Sequence, residues 1–232
     1  MNKVVFNEKK LDYFSKEAYR SLRSAIQFCG DDVKAIAVTS CYPNEGKTTI
    51  CAELSKSLAE VGKKVLFVDA DMRNSSVISK YITSSSAIIG LSQYLSGQAS
   101  LSDVLYSTDK ENLFAVFSGA FPPNPAELLS GKRFAEFIET AEQSFDYIIV
   151  DTPPLGLVTD ASVVANVCKN AVLVIGADAV KSAFAQEVKA SLERSGCRIL
   201  GAVLNNLSST KDKKYYRTEK YAKYTKYTKY KK

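Results

Sequence analysis

The stretch Ser40-Cys41-Tyr42-Pro43-Asn44-Glu45-Gly46-Lys47-Thr48-Thr49 closes on a Gly-Lys-Thr triplet and lies between an apolar run and a helix-forming segment. That context suits a loop that receives phosphate groups. Successive backbone N–H groups and a helix N-terminus together make a site for phosphate oxygens. Gly46 lets the backbone approach closely, Lys47 reaches the β- and γ-phosphates, and the Thr48 hydroxyl ligates Mg²⁺. Glu45, Gly46, Lys47, Thr48 and Thr49 are therefore the candidate nucleotide contacts. One departure is plain: the first glycine of the GxxxxGK[ST] pattern is Cys41 here.

Two other apolar runs end in acid. Val65 to Val68 leads into Asp69-Ala70-Asp71-Met72-Arg73, and Tyr147 to Val150 leads into Asp151-Thr152-Pro153-Pro154. Ligands of open parallel sheets bind outside the carboxyl ends of the strands, so all three carboxylates can converge on the phosphate loop. Asp151 fits the Walker B role of holding Mg²⁺ directly or through water. Asp69 and Asp71 form a second cluster that a minimal nucleotide site does not need. The chain has no histidine, so a proton acceptor must be a carboxylate, a lysine or a water. Asp69 is then a candidate base or orienter for an attacking hydroxyl. Asp160 reads instead as a cap for the helix that follows it. Asn205 and Asn206, after the last strand, are placed to reach a nucleotide base.

The elements that must hold these groups are legible as short apolar runs. They are Ala35–Val38, Val65–Val68, Leu113–Phe117, Tyr147–Val150, Ala171–Ile175 and Leu200–Leu204. Continuous apolarity suits strands buried on both faces of a parallel sheet. The repeated strand-then-helix order predicts an α/β fold with a doubly wound, mostly parallel sheet flanked by helices. A helix is expected over about residues 8–28, with Leu11, Phe14, Ala18, Leu22 and Ala25 on one face. That face either packs on the domain or meets another subunit. Between Arg73 and Leu113, Ser84-Ser85-Ser86 separates two short amphipathic pieces.

The chain of 232 residues carries a formal charge of +6, unevenly placed. Residues 211–232 hold ten Lys/Arg against Asp212 and Glu219, a net of +8, leaving the body at −2. A near-neutral body gives no charge support for nucleic-acid binding. The basic segment also holds Tyr215, Tyr216, Tyr221, Tyr224, Tyr227 and Tyr230, the last four spaced by three. Such low-complexity sequence cannot bury enough surface to offset its ordering entropy, so a disordered tail is expected over 209–232, after a domain at 1–208. Five cysteines show no paired or metal-ligating spacing, and Cys51 and Cys197 read as small core residues. No apolar run approaches ~18 residues, so neither a signal peptide nor a membrane span is expected, and a reducing cytoplasm is the default.

Together these segments resemble the bacterial tyrosine kinases that use a P-loop rather than the eukaryotic kinase fold. The resemblance spans nearly the whole chain. It rests on the Walker A loop, on Phe67-Val68-Asp69-Ala70-Asp71-Met72-Arg73 as Walker A′, and on Asp151-Thr152-Pro153-Pro154 as Walker B. It also includes Ser118-Gly119-Ala120-Phe121-Pro122-Pro123-Asn124-Pro125-Ala126-Glu127-Leu128-Leu129, the ExxRxxR pattern of Glu17, Arg20 and Arg23, and the tyrosine-rich C-terminus. Asn74-Ser75 departs from the basic residue and proline common after Walker A′.

The resemblance implies ATP- and Mg²⁺-dependent phosphorylation of tyrosine, chiefly of the six tail tyrosines by a neighbouring subunit. Asp71 and Asp151 would assist the metal and Asp69 would act as base on the tyrosine hydroxyl. Glu17, Arg20 and Arg23 would make subunit contacts in a ring-forming homo-oligomer. A transmembrane activator would recruit this cytoplasmic subunit to the inner face of the membrane, where the pair regulates capsular or extracellular polysaccharide synthesis and export. The nearest rival is a deviant-Walker partitioning or division-site ATPase with a basic, membrane-binding tail. Those enzymes carry a lysine at the loop's second position, which here is Tyr42.

Overall fold

The computed structural model describes residues 2–7, 11–83 and 88–207. Ser84-Ser85-Ser86, the start of the expected N-terminal helix at residues 8–10, the boundary at 208/209 and all six tail tyrosines lie outside the described residues.

In chain order the elements are β1 (Asn2–Phe6), α1 (Tyr13–Gln27), β2 (Ala35–Ser40), α2 (Lys47–Ala59), β3 (Val65–Asp69), α3 (Val77–Tyr81) and β4 (Ile82–Thr83). Next come α4 (Leu91–Leu95), α5 (Leu101–Val104), β5 (Tyr106–Thr108), β6 (Leu113–Val116), α6 (Pro125–Ser130) and α7 (Lys132–Ser144). The chain continues through β7 (Tyr147–Asp151), α8 (Asp160–Cys168), β8 (Asn170–Gly176), α9 (Ser182–Arg194) and β9 (Arg198–Asn205). The described strands form one nine-stranded sheet in the order β4-β1-β5-β6-β3-β7-β2-β8-β9. From β6 to β9 every pairing is parallel, while β5 meets β6 and β4 meets β1 in antiparallel register.

Burial on both faces explains the continuous apolar runs. In β2, Ala35 and Ala37 enter one core while Ile36 and Val38 enter the other. The same alternation places Leu66 and Val68 opposite Val65 and Phe67 in β3, and Ile148 and Val150 opposite Tyr147 and Ile149 in β7. Helices α7 and α8 supply one core and α2 with α3 the other, as a doubly wound sheet requires. All six strands expected from the sequence are present. Three further strands, β1, β4 and β5, carry too little apolar pattern to be read alone and owe their conformation to pairing.

The N-terminal helix is shorter than expected and its buried face is different. It starts at Tyr13 because Asp12 caps it, accepting from the Ser15 N–H at 2.7 Å. Tyr19, Leu22 and Ile26 face the α2 side of the sheet, and Arg23 donates to the Ser57 carbonyl at 2.9 Å. Of the expected stripe, Phe14, Ala18 and Ala25 are instead exposed, Phe14 to 69%. The chain's own domain therefore uses a face rotated by about one residue, leaving an aromatic-bearing face uncovered. Glu17 and Arg20 pair with each other on α1.

β1 contributes most through Phe6, which is buried against Tyr81 (centroids 5.4 Å apart, stacked) and Phe67 (6.2 Å, edge-on). Phe6→Ala should cost about 3–5 kcal/mol in urea unfolding, the usual range for an emptied aromatic site. A loss below about 1 kcal/mol would show that the N-terminal strand is not part of the cooperative core.

Candidate active site

β2 ends at Ser40 and α2 begins at Lys47, so the loop between them sits at the carboxyl edge of the sheet. Gly46 is the helix N-cap at φ 90°, in the left-handed region that favours glycine, and no side chain caps this end. The first intrahelical bond is Ile50 N–H to the Gly46 carbonyl, 2.9 Å. The earlier N–H groups of α2 therefore remain available to an anion.

Beside the loop lies a buried acidic group. Asp69 and Asp151 are direct partners in the parallel pairing of β3 with β7, 0% and 1% exposed. Burial, then the neighbouring Asp151 charge, pushes the Asp69 carboxyl up to about 7, although hydroxyls of Ser75 and Ser118 bond to it and pull it down. Burial pushes Asp151 up to about 6, against the opposing influence of Lys47 and the Thr48 hydroxyl. Asp69 accepts from the Asp71 N–H at 3.2 Å and from the Ser75 hydroxyl. Lys47 reaches Asp71 at 3.3 Å, and Asp71 also accepts from the Asn74 N–H at 3.0 Å.

Asp151 carries the observation that bears on a metal ion. Its Oδ2 is buried with no hydrogen-bond partner. A carboxylate oxygen left bare in the interior is costly, and a cation is what would satisfy it. Among the described residues no three His, Cys, Asp or Glu side chains form a self-sufficient metal cluster. Mg²⁺ does not need one, since it is commonly held by one or two carboxylates with substrate phosphates and waters. Thr48, Asp71 and Asp151 fit that mode.

The structure thus brings Lys47, Thr48, Asp69, Asp71 and Asp151 together. Thr49 lies in the first turn of α2 and accepts from the Tyr81 hydroxyl at 3.2 Å. Glu45 and Asn205 are at the loop, but both Glu45 carboxylate oxygens and the Asn205 amide nitrogen are bonded to backbone groups. Glu45 accepts from the Tyr42 and Gly176 N–H groups, and Asn205 donates to the Glu45 carbonyl. Asp160 is not the cap expected of it: Thr159 is the N-cap of α8, and Asp160 grips Arg73 through two bonds of 2.7 and 3.0 Å. A carboxylate 1% exposed needs that counter-charge more than a helix end. Sequence reasoning missed Ser75 and Ser118 as partners of Asp69. Ser75 stands in the very dipeptide that departs from the common pattern, which was the available signal. Tyr42 is stacked on Phe184 of the same chain, centroids 4.8 Å apart.

The parallel sheet, the uncapped glycine loop and the strand-end carboxylates define a P-loop NTPase-like protein. Residues 33–185 match the family described as an AAA domain. Over 208 residues the chain is 44% identical to tyrosine-protein kinase CpsD of Streptococcus pneumoniae, covering 89% of this chain and 91% of that protein. Its backbone matches the chimerical protein CapA2B2 with TM-score 0.80 at 32% identity, covering 90% of this chain and 94% of the other. It matches the kinase domain of the Escherichia coli tyrosine kinase ETK with TM-score 0.78 at 31% identity, covering 88% and 84%. More distant is the septum site-determining protein MinD of Pyrococcus horikoshii in complex with Mg-ADP, with TM-score 0.65, 28% identity and coverage of 77% and 72%. The chain belongs to the family of bacterial P-loop tyrosine-protein kinases.

The acidic pair has a measurable cost. Folded Asp69 keeps its proton up to about pH 7, whereas the unfolded chain releases it near 3.8. The folded state therefore binds more protons in between, and the stability so contributed is present below about pH 4 and lost as pH rises through about 7. Asp69→Asn should raise the melting temperature of the nucleotide-free protein by about 2–6 °C at pH 7.5, with the gain vanishing near pH 4. A variant less stable than the parent at pH 7.5 would contradict the electrostatic reading.

Proposed function

We propose that this chain transfers the γ-phosphoryl group of ATP to tyrosine hydroxyls, chiefly those of residues 209–232 on a neighbouring subunit. The observation that carries the reading is the convergence of one lysine and three carboxylates beside a phosphate loop, with Asp69 already accepting a hydrogen bond from the Ser75 hydroxyl. A tyrosine hydroxyl placed where the Ser75 hydroxyl now points could donate to the same carboxylate oxygen. Asp69 then takes the proton as the phenolic oxygen attacks phosphorus, and a carboxyl pushed toward 7 suits that work. Lys47 and the free N–H groups of the loop and α2 hold the phosphates and offset charge developing in transfer. Thr48, Asp71 and Asp151 would hold Mg²⁺, which when bound supplies positive charge to the phosphate oxygens. The likeness to a Mg-ADP-bound protein supports nucleotide and magnesium as ligands.

The tail is the substrate this chain itself offers. Its tyrosines Tyr215, Tyr216, Tyr221, Tyr224, Tyr227 and Tyr230 follow β9 by a short connection. Each phosphotyrosine adds about −1.5 to −2 charges, so five or six cancel or overturn the tail's +8. The exposed aromatic side of α1, with Glu17 and Arg20, is the proposed contact between subunits of a ring; Arg23, expected in the same contact, is bonded to Ser57 of its own chain. No described helix is long and apolar enough to cross a membrane. Recruitment to the inner membrane face is assigned to a transmembrane activator, a reading that the likeness to the chimerical protein CapA2B2 supports. Regulation of capsular or extracellular polysaccharide synthesis and export is the corresponding role.

Incubated with Mg-ATP and its activator, the purified chain should gain phosphate on the tail tyrosines. Lys47→Met should reduce incorporation by at least about 100-fold, the scale of losing a key electrostatic group. Deletion after Leu207 should abolish self-incorporation. Sustained ATP hydrolysis with no phosphotyrosine would mean that the chain is an ATPase and not a kinase.

A further inference from the structure

A carboxylate inside a phosphate loop is out of place on electrostatic grounds, because it repels the anion the loop is shaped to receive. Glu45 is such a group and is only 2% exposed. Both of its oxygens are committed: Oε2 accepts from the Tyr42 N–H at 2.6 Å, and Oε1 accepts from the Gly176 N–H at 2.7 Å. The first bond closes the loop on itself and the second ties it to the end of β8. Gly176 leaves little spare room, since a Cβ there would lie 3.4 Å from Glu45 Cγ and 3.1 Å from Ala179 Cβ.

Asn205, at the end of β9, holds the same peptide from the other side. Its Nδ2 donates to the Glu45 carbonyl at 2.8 Å, and its own carbonyl accepts from the Ala177 N–H at 2.8 Å. In a planar trans peptide the carbonyl and the next N–H point in opposite directions. Fixing the Glu45 carbonyl on Asn205 therefore turns the Gly46 N–H away from Asn205, to the opposite side of that peptide. A Cβ on residue 46 would stand 2.1 Å from Asn205 Nδ2, so glycine is required here by contact as well as by φ.

We propose that Glu45 and Asn205 are positioning residues, which hold the phosphate loop in its anion-receiving shape by bonding its backbone rather than by touching the nucleotide. The strand that leads into the tyrosine-rich segment is thereby part of the nucleotide site's framework. The inference rests on the reading that the loop binds Mg-nucleotide, and the readout is binding rather than phosphoryl transfer.

The test is calorimetric titration of the full-length chain with Mg-ADP, for the parent, Glu45→Gln and Asn205→Asp, alongside melting of each protein without nucleotide. Both changes are close to isosteric. Glu45→Gln removes a negative charge near the phosphates, so a bystander carboxylate predicts tighter binding. A positioning role predicts the opposite sign, a Kd raised at least about fivefold, because one backbone N–H loses its acceptor. Asn205→Asp sets a carboxylate against the Glu45 carbonyl and should raise Kd at least about tenfold. Melting without nucleotide should stay within a few degrees of the parent, and in the kinase reaction KM for ATP should rise more than kcat falls. Parent-like or tighter binding by either variant overturns the proposal. So does a loss of affinity that tracks a matching loss of melting temperature in both. A parent that fails to bind Mg-ADP would overturn the nucleotide reading instead.

Discussion

Two carboxylates face each other across neighbouring parallel strands in an environment without water, and the carboxyl edge of the sheet is organised around that repulsion. Asp69 and Asp151 are in direct register, both essentially inaccessible to solvent. Like charges so placed are destabilising, and burial amplifies the penalty. The chain offsets part of it locally, with Ser75 and Ser118 on Asp69 and with Lys47 and Thr48 near Asp151. It leaves one Asp151 oxygen bare. The nucleotide-free protein thus holds a group whose natural complement is a cation, and binding energy is stored in the fold before any ligand arrives.

That strain makes demands on the surroundings. The two strands cannot separate, because β3 and β7 sit between β6 and β2 and carry alternate residues into both cores. Arg73, directly after the second acidic cluster, is pinned by Asp160 at the start of α8, which fixes how the chain leaves β3. On the other side, the loop is braced by Glu45 to β8 and by Asn205 to β9. Positive charge from Lys47 and the open helix end therefore meets the acidic pair in one place. This is the pre-organised geometry that phosphoryl transfer rewards.

How much of this is legible in the sequence follows from the range of each interaction. The phosphate loop and the strand-end aspartates are local patterns, and continuous apolar runs announce strands buried on two sides. The clamps are not local: Glu45 meets Gly176 across 131 positions, and Arg73 meets Asp160 across 87. No window of sequence contains both partners. Strand β1 pairs with β5 about a hundred residues away, so its conformation depends on a neighbour that itself reads weakly. Periodicity located α1 but left open which of its faces the chain itself buries, because an apolar stripe does not distinguish the chain's own core from another subunit. The Asp160 expectation failed for a related reason, since a local capping rule ignores a distant arginine.

The stored repulsion is tested most directly by counting protons. Mg-ADP binding would be measured by calorimetry at about pH 6.5, with Mg²⁺ in excess, in buffers of different ionisation enthalpy. Between them, Asp69 and Asp151 should hold about one proton in the nucleotide-free protein at that pH, given carboxyls raised to about 7 and about 6. A cation held by Asp151 beside Asp69 should expel it, so net release of up to about one proton per nucleotide is expected, diminished in Asp69→Asn. Binding with no proton exchange, or with uptake, would mean that the acidic pair does not store the repulsion described beside the cation site.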